Sequence, residues 1–340
     1  MLENPDIPNE KIIVCLAEQY GLQIVQVTFL PLGADLNTTV YQVDAADRTS
    51  YFLKLRRGDF DEAAVTFPKF LFDQGLTQII APLPTKTAQL WAKFTDFTMI
   101  LYPFIVGENG YEVKPNERHW SELGTVLKQM HTAKVPLSIT RHIRQETYDS
   151  HWRDIVTETL PRLERTTFSD PGATQLAASL QAKQDAILDL IRQAERLANL
   201  LQIQSSDAIV CHADIHAGNI FIDADGAFYL VDWDTLVLAP KERDLMYIGG
   251  ALMGGWYTPE EEERLFYPTY GPTEIDPVPM AYYRYERIIE DIAVYCQQLF
   301  GSEDSMGRED LAQCVEYFSS DFRPNGVVEV AYQSDQTRNK

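Results

Sequence analysis

Within residues 208–234, AIVCHADIHAGNIFIDADGAFYLVDWD, two acids and an amide stand at Asp214, Asn219 and Asp232. A short apolar run (208–211) leads into a polar loop, His212 to Gly218, and two β-rich runs follow, joined by Asp225-Gly226. Asp-Gly between alternating apolar runs predicts a two-residue hairpin turn. With those two residues as the turn, Ala224 faces Ala227, Ile222 faces Tyr229 and Asn219 faces Asp232. Directly opposed residues have Cβ atoms about 4.5–5.5 Å apart, so an amide oxygen and a carboxylate would converge at the mouth of the hairpin. Oxygen ligands of that kind suit Mg²⁺, which completes its shell with water and phosphate oxygens. Asp214, five residues before Asn219, gives the order H-x-D-x-x-x-x-N, hairpin, Asp. A base that orients an acceptor hydroxyl, followed by two metal ligands, is an arrangement for phosphoryl transfer.

Each of these residues alone has a plainer reading, Asp214 as a turn cap and Asn219 as a partner for loop amides. The ordered set favours the chemical one. A competing chemistry takes His212, Asp214 and His216 as zinc ligands. The chain has six histidines, and His119, His131, His142 and His151 form no second ligand motif. His212 reads better as a support for the loop, and His216 as a surface residue or a neighbour of phosphates. G-x-x-x-x-G occurs at 249–254 and 250–255, but no Lys-Ser or Lys-Thr follows, so neither is a P-loop. G-x-S-x-G is absent, which removes the common serine hydrolase reading.

The elements that must position these residues divide by texture. Residues 24–99 read as strands, with TVYQV (39–43), SYFLKL (50–55) and FTMILYPF (97–104) as the clearest runs. One helix interrupts them, from about Asp61 and Glu62 to before Gly75, with Pro68 expected to kink or break it. After Phe104 the patterns lengthen to helical ones, and 106–117 reads as a polar connector. The expected division is an N-terminal lobe over 1–105 and a C-terminal lobe over 106–335. The apolar spacing of Leu176, Leu180, Ile187, Leu190, Ile191, Ala194, Leu197 and Leu201 predicts one helix from Pro171 to Leu201, capped by Asp170. A second long helix is expected over Tyr282 to Phe300, and the polar tail from Tyr332 is expected to fray.

Composition narrows the partners. The 340 residues carry 50 Asp and Glu against 29 Lys and Arg, a net charge of −21. A phosphate backbone is repelled by such a surface, which argues against nucleic acid, whereas a cationic ligand is drawn in; solubility alone also explains the acidity. No run reaches membrane-spanning length and the N-terminus has no signal-peptide pattern, so no membrane association and a cytoplasmic location are expected. The four cysteines, none in a C-x-x-C pair, suit reduced structural thiols.

At these residues the sequence resembles the aminoglycoside phosphotransferase and choline kinase group. VDWDTLVLAPKERDLMYIGG (231–250) and YYRYERIIEDIAVY (282–295) are similar to its spectinomycin phosphotransferase branch. The resemblance implies an α+β, bilobal, protein-kinase-like fold with a small β-rich N-lobe and a larger, mainly helical C-lobe. It implies a Mg²⁺-dependent small-molecule kinase in which Asp214 is the catalytic base and Asn219 and Asp232 bind the metal. Asp244, in ERDL, would brace the catalytic loop through backbone hydrogen bonds, and Lys54, in YFLKL, would contact the α- and β-phosphates. A lysine in an apolar strand also calls for an anionic partner on its own account, unless it snorkels to solvent. Glu62 is the expected carboxylate for Lys54, with Asp61 left open, because only seven residues intervene and Pro68 disturbs the helix. The loop PLGADLNTT (31–39) has one glycine where kinases have G-x-G-x-x-G, and Gly33, Asn37 and Thr38 are its candidate phosphate donors. Adenine is expected against backbone near Tyr102, Phe104 and Ile105. The expected donor is ATP, with GTP open. The expected acceptor is a cationic small molecule, an aminocyclitol such as spectinomycin; a choline- or homoserine-type alcohol and a non-catalytic nucleotide-binding role are the alternatives. Glu290 and Asp291 are candidate acceptor contacts, unless they pair with Arg287 or Arg284.

Overall fold

The computed structural model describes residues 7–32, 37–204, 207–300 and 308–336. In chain order the elements begin with α1 (Asn9–Tyr20), β1 (Ile24–Leu30), β2 (Thr38–Ala45), β3 (Ser50–Arg57), α2 (Ala63–Asp73), β4 (Ala92–Phe94), β5 (Phe97–Pro103) and β6 (Gly107–Asn109). Then come α3 (Glu117–Thr132), α4 (Leu137–Thr140), β7 (Arg144–Gln145), α5 (His151–Leu163), α6 (Pro171–Ala182), α7 (Gln184–Leu201) and β8 (Ile209–Cys211). After β8 follow β9 (Ile220–Asp223), β10 (Phe228–Leu230), β11 (Val237–Ala239), α8 (Glu242–Leu245), α9 (Pro259–Tyr270), α10 (Pro277–Phe300), α11 (Arg308–Asp321) and α12 (Val327–Gln336). The chain forms two compact units, one of Met1–Arg144 with Ala217–Val237, the other of Gln145–His216 with Leu238–Lys340. These divisions fall elsewhere than the expected boundary after residue 105. The supposed connector supplies β6, which pairs with β9 and so keeps 106–144 with the hairpin.

In the first unit an antiparallel sheet runs in the order β1-β2-β3-β5-β4. Side chains alternate faces along a strand, and β3 uses both. Leu53 and Leu55 are fully buried in a core with Tyr41, Val43, Met99 and Leu101, which Ile12 and Leu16 of α1 complete. Lys54 and Arg56, one residue out of step, are thereby turned to the opposite face. The hydrophobic alternation of SYFLKLRR thus aims the lysine before any polar contact is made. Helix α2 continues through Pro68, which is buried within it, and Phe67 and Leu71 are buried as well. The burial of that face offsets the backbone hydrogen bond a helix-interior proline forfeits.

In the second unit α10 is the central helix, packed by α5, α7 and α12, with Ile288, Ile289, Ile292, Ala293 and Cys296 buried along it. The helix expected from Pro171 to Leu201 is two. It breaks at Lys183 (φ −108°, ψ 10°), after which α6 packs on α11 and α7 on α10. A single apolar stripe serves two partners, and the break lets each half meet its own. Asp170 caps α6 as expected, its side chain accepting from Ala173 N–H at 2.9 Å. The tail expected to fray from Tyr332 is instead helical to Gln336. Tyr332 donates to Asp189 at 2.5 Å, and Arg284 donates to Ser334 at 2.5 Å, which ties α12 to α7 and α10. A three-stranded sheet in the order β7-β11-β8 carries the strand that enters the loop of Asp214. Among the described residues no helix is long and apolar enough to cross a membrane.

Candidate active site

The loop after β8 is built from its backbone outward. The N–H groups of His212 and Ala213 donate to the two oxygens of Asp244, at 3.0 and 2.6 Å, and Asp244 is wholly buried. Ala213 holds a left-handed backbone (φ 69°), which costs a residue with a Cβ and persists only where the surroundings over-determine it. Here Asp244 holds its N–H and the Tyr247 hydroxyl holds its carbonyl at 3.0 Å. Asp214 N–H donates to His212 Nδ1 at 3.3 Å, so His212 supports the loop and spends a ring nitrogen doing it. On the Asp214 side chain, Oδ1 accepts from Arg287 Nη1 at 2.7 Å and Tyr247 hydroxyl at 3.3 Å, and Oδ2 has His216 Nε2 at 3.4 Å. Burial alone would raise this carboxyl, but the hydrogen bond from His216 and the charge of Arg287 outweigh it and hold it well below the usual carboxylate range. Asp214 is therefore ionised throughout the neutral range.

The hairpin in the first unit departs from the expected register by one residue. Phe228 pairs with Ile222, Tyr229 with Phe221 and Leu230 with Ile220. The turn has three residues, Ala224, Asp225 and Gly226, closed by Asp223 N–H to Ala227 carbonyl at 3.0 Å and Gly226 N–H to Asp223 carbonyl at 2.9 Å. Gly226 takes the left-handed position (φ 77°) that such a loop requires. The Asp223 carboxylate accepts from the N–H groups of Asp225 and Ala227, at 3.0 and 2.7 Å, which stabilises the longer loop over the two-residue one. At the tip, His119 Nε2 and Arg118 Nη2 from α3 donate to the Gly226 carbonyl at 3.0 and 2.7 Å. The slip puts Asn219 opposite Val231, whose N–H donates to the Asn219 carbonyl at 3.1 Å, and not opposite Asp232. The face-to-face pairing of Asn219 and Asp232 is therefore corrected. Asp232 leaves the ladder with φ 62° and a side chain 51% exposed.

Lys54 Nζ meets Asp234 at 2.6 Å and Asp232 at 3.4 Å, and Arg56 Nη1 shares Asp234 at 2.8 Å. Burial disfavours the ammonium, but Asp232 and Asp234 outweigh it, so Lys54 is held above the ordinary lysine value. Asp232 makes a single long contact to Lys54 and is half exposed, and Asn219 is a buried amide at the end of the turn Ala217–Asn219. An amide and a carboxylate oxygen are donors that fit a hard divalent cation.

The phosphotransferase enzyme family matches residues 28–274 of the chain. This protein belongs to that family. It is 37% identical to spectinomycin phosphotransferase APH(9)-Ia in complex with ADP and spectinomycin, over 98% of this chain and 100% of that one, with a TM-score of 0.88. To the AMP-bound complex of the same enzyme it is 35% identical over 95% of this chain and 98% of that one, TM-score 0.82. Choline kinase LicA from Streptococcus pneumoniae, 13% identical over 97% of this chain and 99% of that one with a TM-score of 0.55, shares the fold. The protein is a small-molecule kinase with the protein-kinase-like fold, an antiparallel sheet in its N-terminal region and helices in its C-terminal region.

For this phosphotransferase the remaining expected residues fall as follows. Asp214 belongs to the second unit, and Lys54, Asn219 and Asp232 to the first. Gly33 lies outside the described residues. Asn37 and Thr38 open β2, with the Asn37 carbonyl accepting from Arg57 N–H at 2.8 Å. Tyr102 lies in β5 opposite Phe52; Phe104, whose N–H donates to Ser50 carbonyl at 3.3 Å, and Ile105 follow that strand. Glu62 is exposed at the N-cap of α2, and the carboxylates on Lys54 are Asp234 and Asp232. The expected Lys54–Glu62 pair is replaced by one from the two carboxylates of VDWD. Asp234 stands two residues beyond Asp232, past the end of β10 and past the left-handed Asp232, so no strand alternation in the sequence marked it. Arg287, the cation on Asp214, was likewise unmarked.

Proposed function

We propose that the protein transfers the γ-phosphoryl group of ATP to a hydroxyl of an aminocyclitol antibiotic, spectinomycin foremost. The observation that carries the reading is Asp214, an ionised carboxylate on a loop braced at two amides by Asp244. The likeness of nearly the whole chain to an enzyme seen with ADP and spectinomycin supports the choice of acceptor. Asp214 orients the acceptor hydroxyl and accepts its proton. A carboxylate held so far below its usual range is a weak base, so orientation is the larger part of its work, and proton transfer comes late, as a loose phosphoryl transition state allows. Lys54 exchanges its contact with Asp232 and Asp234 for phosphate oxygens and stabilises their charge. Asn219 and Asp232 hold Mg²⁺, which when bound neutralises charge on the β- and γ-phosphates. Residues 1–105 supply the nucleotide lobe, with Asn37 and Thr38 toward phosphate and Tyr102, Phe104 and Ile105 toward the base. GTP is the second donor candidate, and resistance to the antibiotic would follow from its turnover.

An ADP-release assay with Mg²⁺, ATP or GTP, and a panel of spectinomycin, aminoglycosides, choline and homoserine tests this. Spectinomycin turnover with ATP is expected, and Asp214→Asn should lower kcat by about 10²–10⁴-fold. Turnover of choline or homoserine without turnover of spectinomycin would move the function to a metabolic kinase. An Asp214→Asn enzyme as active as the wild type would remove Asp214 from the chemistry.

A further inference from the structure

The side chain of Asp214 is steered by a residue from a distant part of the chain. Arg287 Nη1 donates to Asp214 Oδ1 at 2.7 Å, and the other end of the same guanidinium is seated on Asp291, Nη2 to Oδ1 at 3.2 Å and Nε to Oδ2 at 3.3 Å. Arg287 and Asp291 are one helical turn apart on α10 and so share a face. Their neighbours Ile288, Ile289 and Ile292 are buried, which fixes the helix and with it the base of the fork. The loop backbone does not need this contact, since Asp244 and Tyr247 already hold the amides and carbonyl around Ala213. The effect of Arg287 falls on the Asp214 carboxylate itself. A planar guanidinium with its Nε–Nη2 edge committed to one carboxylate holds its Nη1 in one direction, which a flexible ammonium cannot do.

We propose that Arg287 is a positioning residue for phosphoryl transfer, setting the orientation of the Asp214 carboxylate from a guanidinium anchored on Asp291. The proposal rests on Asp214 being the group that receives the acceptor hydroxyl. A carboxylate free to rotate presents its lone pairs to the hydroxyl in only part of its conformations, and small misplacements of a reacting group are costly. The cost should appear in kcat, because Arg287 is committed to Asp214 and Asp291 and acts on the acceptor only through Asp214.

Steady-state kinetics with spectinomycin and ATP test this in Arg287→Gln, Arg287→Lys, Asp291→Asn and Asp214→Asn, each checked for folding by circular dichroism. Arg287→Gln should lose about 10²-fold in kcat, with both KM values within about 3-fold of wild type, since uniform binding is untouched. Arg287→Lys, which keeps the charge and loses the fork, should recover part of that loss, and Asp291→Asn should show a smaller loss of the same kind. Ethylguanidinium added to Arg287→Ala should raise kcat. Wild-type kcat in folded Arg287→Gln, while Asp214→Asn is inactive, would overturn the positioning role and leave the proposed function standing. So would a loss confined to KM, or a kcat that neither lysine nor ethylguanidinium improves. If Arg287→Gln does not fold, the lysine variant decides: wild-type kcat there shows that the fork is not needed. Full activity of Asp214→Asn would instead remove the reading on which the proposal rests.

Discussion

Asp214 in the second unit and Lys54 in the first are each a partly hidden charge, and the protein surrounds them differently. Around Asp214 the partners are parts of the scaffold: Arg287 on a packed helix, Tyr247 after α8, and a loop whose amides end on a wholly buried Asp244. Around Lys54 the partners are two carboxylates, at 2.6 and 3.4 Å, of which the more distant is 51% exposed. The Lys54–Asp232 pair, with its exposed partner, is worth roughly 0–1 kcal/mol and is readily exchanged, whereas amides buried on a carboxylate are costly to leave unmade. The contrast suits the two tasks. In the proposed reaction a base must keep one orientation through every turnover, and a lysine that serves phosphates must release its own partners when they arrive.

Substitutions in the two regions put the contrast to a test. The largest effect is expected from Lys54→Met, about 10²–10³-fold in kcat in single-turnover measurements with ATP, because a charge facing phosphate is lost in the transition state. Asp244→Ala comes next, at roughly 3 kcal/mol of stability by urea denaturation, since it leaves two buried amides without an acceptor. A loss below about 0.5 kcal/mol there would show that the loop of Asp214 is held from elsewhere. The smallest effect is expected from Asp234→Asn, within about 5-fold of wild-type kcat, the equivalent of roughly 1 kcal/mol. If its loss equals that of Lys54→Met, Asp234 holds the lysine during turnover as well as before it, and the contrast fails.

Much of this was legible in the sequence because it is local. The strands over TVYQV, SYFLKL and FTMILYPF follow from alternation, and the loop of Asp214 from the order of its polar residues. Asp244 reached its place by resemblance, and the amides of His212 and Ala213 meet it there. The register of the hairpin differs by one residue from the expected one because Asp-Gly is equally the end of a three-residue turn, and the carboxylate of Asp223 favours that one. One slip of this size changes which side chains face each other all along the ribbon. The long apolar stripe from Leu176 to Leu201 carried no mark of a break, since its period is continuous and only the change of packing partner at Lys183 separates the halves. Arg287 lay beyond sequence reading for a related cause. Its bond to Asp291 is four residues long and foreseeable, while its bond to Asp214 spans 73 residues.

The first unit is discontinuous in the chain, Met1–Arg144 completed by Ala217–Val237. On a ribosome, β6 therefore emerges well before the strand that covers its edge. At about 5–20 residues per second the wait lasts several seconds, during which the first unit has an unpaired strand and no hairpin. Such edges recruit neighbouring chains, so the time taken to synthesise the intervening helices sets how long each nascent molecule is open to aggregation.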